Sequence, residues 1–279
     1  MAHVPTAPTG DTGKRVTVNG IDMYYEERGT GAPVLLLHGG IVDHRSWRFQ
    51  IRELAQHFRV LAPDTRAHGR STDTGQPLSY ELFAADVVAF LRALGIDRTH
   101  IVGFSDGGAT GLLLGAEQPA LVDQLVCISS PYHTSNYREG IIEFLAKITP
   151  ETLYRTVGPE YRTAMTMAEA LHPNRESWLA FWRRVVNGLW TRQPDMPLDR
   201  LADVRVPTLV LHAEHEQFYA REHSEEMART IPDARLEIIA GATHAAPLER
   251  PNEVNAAILR FLSERCGSNR SMTTGAARL

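Results

Sequence analysis

The chain is poor in cysteine, with only Cys127 and Cys266 among 279 residues. Cys127 lies inside the apolar run "LVCIS", where a thiol packs as a small hydrophobe, and Cys266 opens a polar tail. Two cysteines so placed argue against a disulfide framework and against a thiolate metal cluster. Lysine is almost missing: Lys14 and Lys147 are the only lysines among 29 basic residues. Against 33 acidic residues the formal net charge is -4, so there is no basic footprint of the kind nucleic-acid binding needs. Long apolar runs are absent as well, and nothing approaches the roughly 18 consecutive apolar residues of a membrane span. The opening "MAHVPTAPTGDTGK" lacks the charged-then-apolar order of a signal peptide. A cytoplasmic protein with no nucleic-acid or membrane partner is expected. A monomer or homodimer is the default.

What is present suits a soluble globular protein. With 43% hydrophobic and 22% charged residues the chain can bury a large core. Residues 1–13 and 266–279 are small and polar, too poor in apolar groups to offset ordering entropy, and read as flexible ends. Between them eight short β-rich runs appear: Val16–Val18, Met23–Glu26, Val34–Leu37, Val60–Ala62, His100–Val102, Leu125–Ile128, Thr208–Leu211 and Leu236–Ile239. Amphipathic stretches alternate with them. In "YELFAADVVAFLRALG", Phe83, Val87, Phe90, Leu91 and Leu94 fall at helical spacing, and Gly95 is placed to end the helix. Buried runs alternating with helices predict an α/β fold with a mostly parallel sheet and helices on both faces. Asn19-Gly20, between the first two runs, is a hairpin signal, so the sheet is expected to begin antiparallel.

Residues 132–200 break the rhythm. They hold no convincing strand and many large side chains, among them Tyr137, Tyr161, Trp178, Phe181, Trp182 and Trp190. The segment reads as a helical insertion between the sixth and seventh strands. Each aromatic alone is best explained by packing; together they predict a bulky apolar ceiling over the carboxyl edge of the sheet.

In "HIVGFSDGGATG", Ser105 stands between Gly103 and Gly107 where a strand meets a helix. A nucleophile there needs a sharp turn that projects its oxygen, with small neighbours that let backbone approach. The Asp106 amide, at the new helix N-terminus, would face a developing oxyanion. A glycine-rich helix start with an incidental serine gives the same window, so partners decide. A serine hydroxyl needs a base, and the base an orienting acid. His244 lies in the loop after the last run, within "GATHAAPLERPNEV", and "HAEHEQFY" supplies acids after the next-to-last run. All three would emerge at one sheet edge. "LLLHGG" adds His38-Gly39-Gly40 at the end of a buried strand, with free amides following it.

These pieces, with "APDTRAHGRS" and "VPTLVLHAEHE", resemble the α/β-hydrolase superfamily over about residues 14–265. The "SDGG" turn is similar to that of biphenyl-hydrolase-like esterases, and the wider pattern to enol-lactone hydrolases and cofactor-free haloperoxidase-type esterases. The resemblance implies an eight-stranded hydrolase core, 14–131 and 201–265, with 132–200 as a helical cap. It implies Ser105 as nucleophile, His244 as base, and the Gly40 and Asp106 amides as oxyanion donors. His38, Phe104, Trp178 and Trp182 are the expected substrate contacts. Where the superfamily usually carries aspartate as triad acid this chain has Glu216, with Glu214 in reserve. Where the common turn has glycine it has Ala67.

The implied activity is hydrolysis of an ester, lactone or thioester of a medium-sized apolar substrate through an acyl-enzyme, without metal or organic cofactor. His212 and His215 are three apart, but no helix is expected there and the order is not that of a helical zinc motif. Asp43, His44 and Arg45 are expected to cap the next helix, with His44 a candidate for the pocket mouth. The same triad also serves C–C bond hydrolysis, perhydrolysis, or a biosynthetic cyclisation or elimination. A ligand-binding receptor with little turnover is the reading from another class. Ser105 in place of aspartate speaks against an epoxide hydrolase.

Overall fold

A computed structural model describes residues 13–266. The flexible ends expected at 1–13 and 266–279 therefore fall outside the described residues, apart from Gly13 and Cys266.

Eight strands form one sheet: β1 Lys14–Val18, β2 Ile21–Arg28, β3 Pro33–Leu37, β4 Arg59–Pro63, β5 Thr99–Phe104, β6 Val122–Ile128, β7 Thr208–Ala213 and β8 Ala234–Ile239. Their order is β1-β2-β4-β3-β5-β6-β7-β8. The first two pairings, β1 with β2 and β2 with β4, are antiparallel, and all others are parallel. Asn19 (φ 44) and Gly20 (φ 77) are both left-handed, which is the geometry a two-residue hairpin requires between twisted strands.

The helices are α1 Arg48–Leu54, α2 Tyr80–Ala93, α3 Asp106–Glu117, α4 Ile141–Lys147, α5 Pro150–Thr156, α6 Pro159–Glu169, α7 Arg175–Arg184, α8 Arg221–Thr230, α9 Ala246–Glu249 and α10 Pro251–Cys266. In α2, Ser79 caps the N-terminus by accepting from the Leu82 amide, and left-handed Gly95 (φ 64) follows its end. Its Phe83, Val87, Phe90 and Leu91 are buried, each contributing roughly 1.5–3 kcal/mol of apolar transfer.

Alternation along the buried strands divides the core. Val34 and Leu36 of β3 face one apolar layer with Leu54 of α1 and Ile258 of α10. Leu35 and Leu37 face the other, with Phe90 of α2 and Met227 of α8. Helices thus cover both faces, as parallel strands require. Helices α4 to α7 all fall between β6 and β7, followed by a π-helical turn at Val185–Leu189 and a 3-10 turn at Leu198–Asp203. Among the described residues no helix is long and apolar enough to cross a membrane.

Because β3 to β8 run parallel, the segments that follow β3, β5, β7 and β8 leave from one edge of the sheet. In open α/β sheets ligands bind at that edge.

Candidate active site

Ser105 occupies the turn between β5 and α3 with φ 52 and ψ -115. A side chain in that region carries strain of order 1–3 kcal/mol, which persists only where the surroundings fix it. Here they do: the Ser105 amide donates to the Ile128 carbonyl at 2.9 Å. Neighbouring backbone also comes very close. A Cβ on Gly103 would sit 2.3 Å from the Gly107 oxygen, and one on Gly107 only 2.0 Å from the Leu37 oxygen. The glycines flanking the serine are therefore demanded by backbone contact.

The three side chains expected to act together converge. Ser105 Oγ lies 3.2 Å from His244 Nε2, and His244 Nδ1 lies 3.0 Å from both Glu216 Oε1 and Oε2. With a carboxylate on Nδ1, that nitrogen donates and Nε2 is left to accept from the hydroxyl. Glu216 is buried and also accepts from the Phe218 amide at 3.0 Å. Burial alone would raise its carboxyl; the His244 ring and the Phe218 amide outweigh that and hold it below the usual carboxylate range. Glu214 points away, half-exposed, and accepts from the Gly241 amide at 2.7 Å. It does not reach His244.

The turn after β3 abuts the serine. A Cβ on Gly39 would lie 3.4 Å from Ser105 Cβ, and one on Gly40 would lie 2.5 Å from Asp106 Oδ2. Gly40 and Asp106 are thus adjacent. As the first residue of α3, Asp106 has an amide without a partner inside its helix. The Asp106 carboxyl has two donors, Tyr80 OH at 3.0 Å and Trp190 Nε1 at 2.9 Å. Burial pushes it up to about 6, against the pull of those two hydrogen bonds.

His38 does not line the cavity beside Ser105. It is buried, its Nε2 accepts from the Thr65 amide at 3.0 Å, and its Nδ1 donates to the Gly39 oxygen at 2.7 Å. Burial lowers its affinity for a proton, so the neutral ring clamps the glycine turn to the end of β4.

His44 likewise does not line the cavity beside Ser105. It is buried, with Nδ1 2.7 Å from Asp64 Oδ1 and Nε2 3.6 Å from Glu26 Oε1. Burial lowers its pKa, but the Asp64 and Glu26 carboxylates outweigh this and lift it to about 9. Asp43 accepts from the Arg45 amide and so caps the 3-10 turn His44–Trp47, as expected. Donor atoms of Asp43, His44 and Asp64 lie within 4.8 Å of one another, close enough to invite a cation. Their lone pairs already serve the protein, however: Arg45 holds Asp43, while His44 and the Arg70 amide hold Asp64. The other histidine pair does not converge, since buried His212 faces Ser224 Oγ at 2.9 Å and His215 is exposed. Left-handed Ala67 (φ 66) takes the backbone shape for which glycine is the usual choice.

A cavity of about 20 Å³ opens above Ser105 and His244, walled by Tyr137, Leu145, Leu153, Tyr161, Trp190, Phe218 and Tyr219. Three expected contacts do not line it. Phe104 lies beneath the site, its ring 5.3 Å from that of His244. Trp178 and Trp182 are buried inside the helical segment, where Trp182 Nε1 donates to the Ile148 oxygen at 3.0 Å. They face inward because α7 needs an apolar stripe to pack at all. Trp190 lies just past the π-helical turn and lines the cavity beside the serine. Phe218 and Tyr219 follow Glu216 by two and three residues, a proximity that the sequence could have signalled. A larger cleft of about 320 Å³ lies between α3 and residues 194–200. It contains none of Ser105, Glu216 and His244, whereas Ser105 and His244 open onto the smaller space.

Comparison with known proteins fits this geometry. The profile of the alpha/beta hydrolase family matches residues 34–257. The 2-hydroxy-6-oxo-6-(2'-aminophenyl)hexa-2,4-dienoic acid hydrolase of Metapseudomonas resinovorans is 30% identical over 92% of this chain and 92% of its own. A non-heme haloperoxidase of Rhodococcus erythropolis is 27% identical over 88% of this chain and 97% of its own. Among solved structures, Est816, described as an N-acyl homoserine lactone degrading enzyme, aligns with a TM-score of 0.77 at 27% identity, covering 89% of this chain and 100% of that one. With a family match across most of its length, on the fold and side-chain arrangement just described, the chain belongs to the alpha/beta hydrolase family.

Proposed function

We propose that this chain is a serine hydrolase that cleaves an ester, lactone or thioester of an uncharged, largely apolar substrate through an acyl-enzyme. One observation carries the reading: the continuous hydrogen-bonded line from Ser105 Oγ through His244 to both oxygens of Glu216. In the proposed step His244 Nε2 takes the hydroxyl proton as Ser105 Oγ bonds to the carbonyl carbon. Glu216 stabilises the imidazolium that forms. The oxyanion is received by the Gly40 and Asp106 amides, a contact typically worth roughly 3 kcal/mol of barrier per donor. His244 then returns the proton to the leaving group, and water activated by the same ring releases the acid.

The walls support an uncharged substrate. No lysine or arginine lines the cavity, so an anionic acyl group would be buried without a counter-charge. Tyr137, Tyr161 and Tyr219 supply hydroxyls that burial keeps protonated, their pKa values all raised. Such a pocket is apolar with neutral donors. About 20 Å³ holds roughly one water, so a medium-sized acyl group enters only as the walls part.

The test is hydrolysis of short p-nitrophenyl esters and simple lactones by the wild type and by Ser105→Ala. Turnover is expected in the first and none above background in a folded second. Equal activity in both would overturn the reading. The relative named for a dienoic acid hydrolase favours a second one, C–C bond hydrolysis on the same triad. Turnover of a vinylogous diketone with none of any ester would select it.

A further inference from the structure

We propose that Trp190 is the specificity-determining wall of the acyl pocket, limiting it to short or flat acyl groups. This rests on the serine-hydrolase reading above. Trp190 meets the site at three points. It lines the cavity beside Ser105 and His244. Its Nε1 donates to Asp106 Oδ2 at 2.9 Å, and Asp106 directly follows the serine. Its six-membered ring lies so close to Gly40 that a Cβ there would come within 2.5 Å of Cζ2. The indole is thus fastened between the two residues whose amides are assigned to the oxyanion.

The other walls differ in how they are held. Leu145, Leu153 and Phe218 offer no side-chain hydrogen bond, so packing alone keeps them in place. Tyr161 donates to the Gly40 oxygen at 3.2 Å, which leaves it on the same fixed side as Trp190. A pocket of this build widens towards the leucines and Phe218 and stays closed at the indole. The Trp190–Asp106 bond is also sheltered. Asp106 is buried and its other oxygen is taken by Tyr80, so the indole N–H has a fixed acceptor shielded from bulk water.

The experiment is the rate at which n-alkyl fluorophosphonates, from ethyl to octyl, label the serine in wild type, Trp190→Ala, Trp190→Leu and Trp182→Phe. Labelling reads pocket length without needing any ester to turn over. The octyl-to-ethyl rate ratio is expected to rise at least about tenfold in the alanine variant, and less in the leucine variant; one methylene in a fitted pocket is already worth about that factor. Trp182→Phe loses the Ile148 hydrogen bond within the helical segment but leaves the cavity wall intact, so its ratio should match wild type. General loosening of the helices would instead move the ratio in Trp182→Phe as well. Circular dichroism identifies which variants are folded, and the leucine variant decides the matter if alanine is not tolerated. An unchanged ratio in a folded Trp190 variant overturns the proposal while leaving the serine reading intact. Failure of every probe to label wild type overturns both.

Discussion

Glu216 meets His244 with both carboxylate oxygens, each 3.0 Å from Nδ1. Glutamate, one methylene longer than aspartate, thereby lies face-on to the ring edge, and the Phe218 amide holds one of its oxygens. Replacing the charge and keeping the shape tests whether that contact orients the base. Glu216→Gln should lower kcat/KM by roughly 10³- to 10⁴-fold, the scale expected when a buried triad acid becomes an amide. Glu214→Gln, whose side chain bonds the Gly241 amide, should change it less than about twofold. Steady-state kinetics on one ester checks both variants.

Asp106 yields a stability prediction. Burial raises its pKa to about 6, above the ordinary 3.8. An acid whose folded pKa is raised binds its proton better in the folded state. Its stabilising contribution is complete below about 3.8 and is lost as pH rises through about 6. Asp106→Asn keeps an acceptor for Tyr80 and cannot titrate. The difference in unfolding free energy, wild type minus variant, should rise by on the order of 2 kcal/mol between pH 7 and pH 4. Denaturant melts at the two pH values measure it, and a difference that is flat with pH contradicts the assignment.

His44 behaves alike in a higher pH range. Its folded pKa of about 9 stands above the ordinary 6.5, because Asp64 and Glu26 outweigh its burial. The stabilisation it gives is therefore complete below pH 6.5 and lost as pH rises through about 9. Relative to His44→Gln, the wild type should have its largest Tm advantage at pH 6 and lose most of it by pH 10. Thermal melts across that range give the result. An advantage that grows with pH would mean the ring is neutral.

The backbone around the serine leaves no room for a methyl group. Gly107→Ala places a Cβ 2.0 Å from the Leu37 carbonyl, a contact that only main-chain movement of β3 or α3 relieves. We expect a loss of about 3 kcal/mol or more, the upper range for overpacking. Ser105→Ala, at a position where a Cβ is already accommodated, should stay within about 1 kcal/mol of wild type. Urea denaturation compares the two.

Much of this architecture was legible because it follows from local chemistry. Each of the eight strands contains one of the short β-rich runs of the sequence, and Asn19-Gly20 states the hairpin by its left-handed tolerance. Ser105, Glu216 and His244 could be placed together because each follows a strand, and parallel strands deliver their carboxyl ends to one edge. The pocket walls were not legible in this way. Trp178, Trp182 and Trp190 look alike in the sequence, yet the first two pack inside the helical segment while Trp190, just past the π-helical turn at Val185–Leu189, lines the cavity beside the serine. Such a turn has no strong sequence signature, being set by how the helix packs on what lies below it. His38 is a related case. Its place beside the glycines suggested substrate, whereas a buried ring between the Thr65 amide and the Gly39 carbonyl has no free edge to offer. The Asp106 carboxyl went unread because its partners Tyr80 and Trp190 lie 26 and 84 residues away.

The central claim is that Ser105 forms the covalent intermediate. Its most direct measurement is intact-mass and peptide-mapping spectrometry of the protein quenched milliseconds after mixing with a p-nitrophenyl ester, where release of p-nitrophenol marks acylation. One acyl adduct per chain is expected, on the peptide containing Ser105, forming with the p-nitrophenol burst and absent in Ser105→Ala. Turnover with no adduct on that peptide, or an adduct that persists in Ser105→Ala, would contradict it.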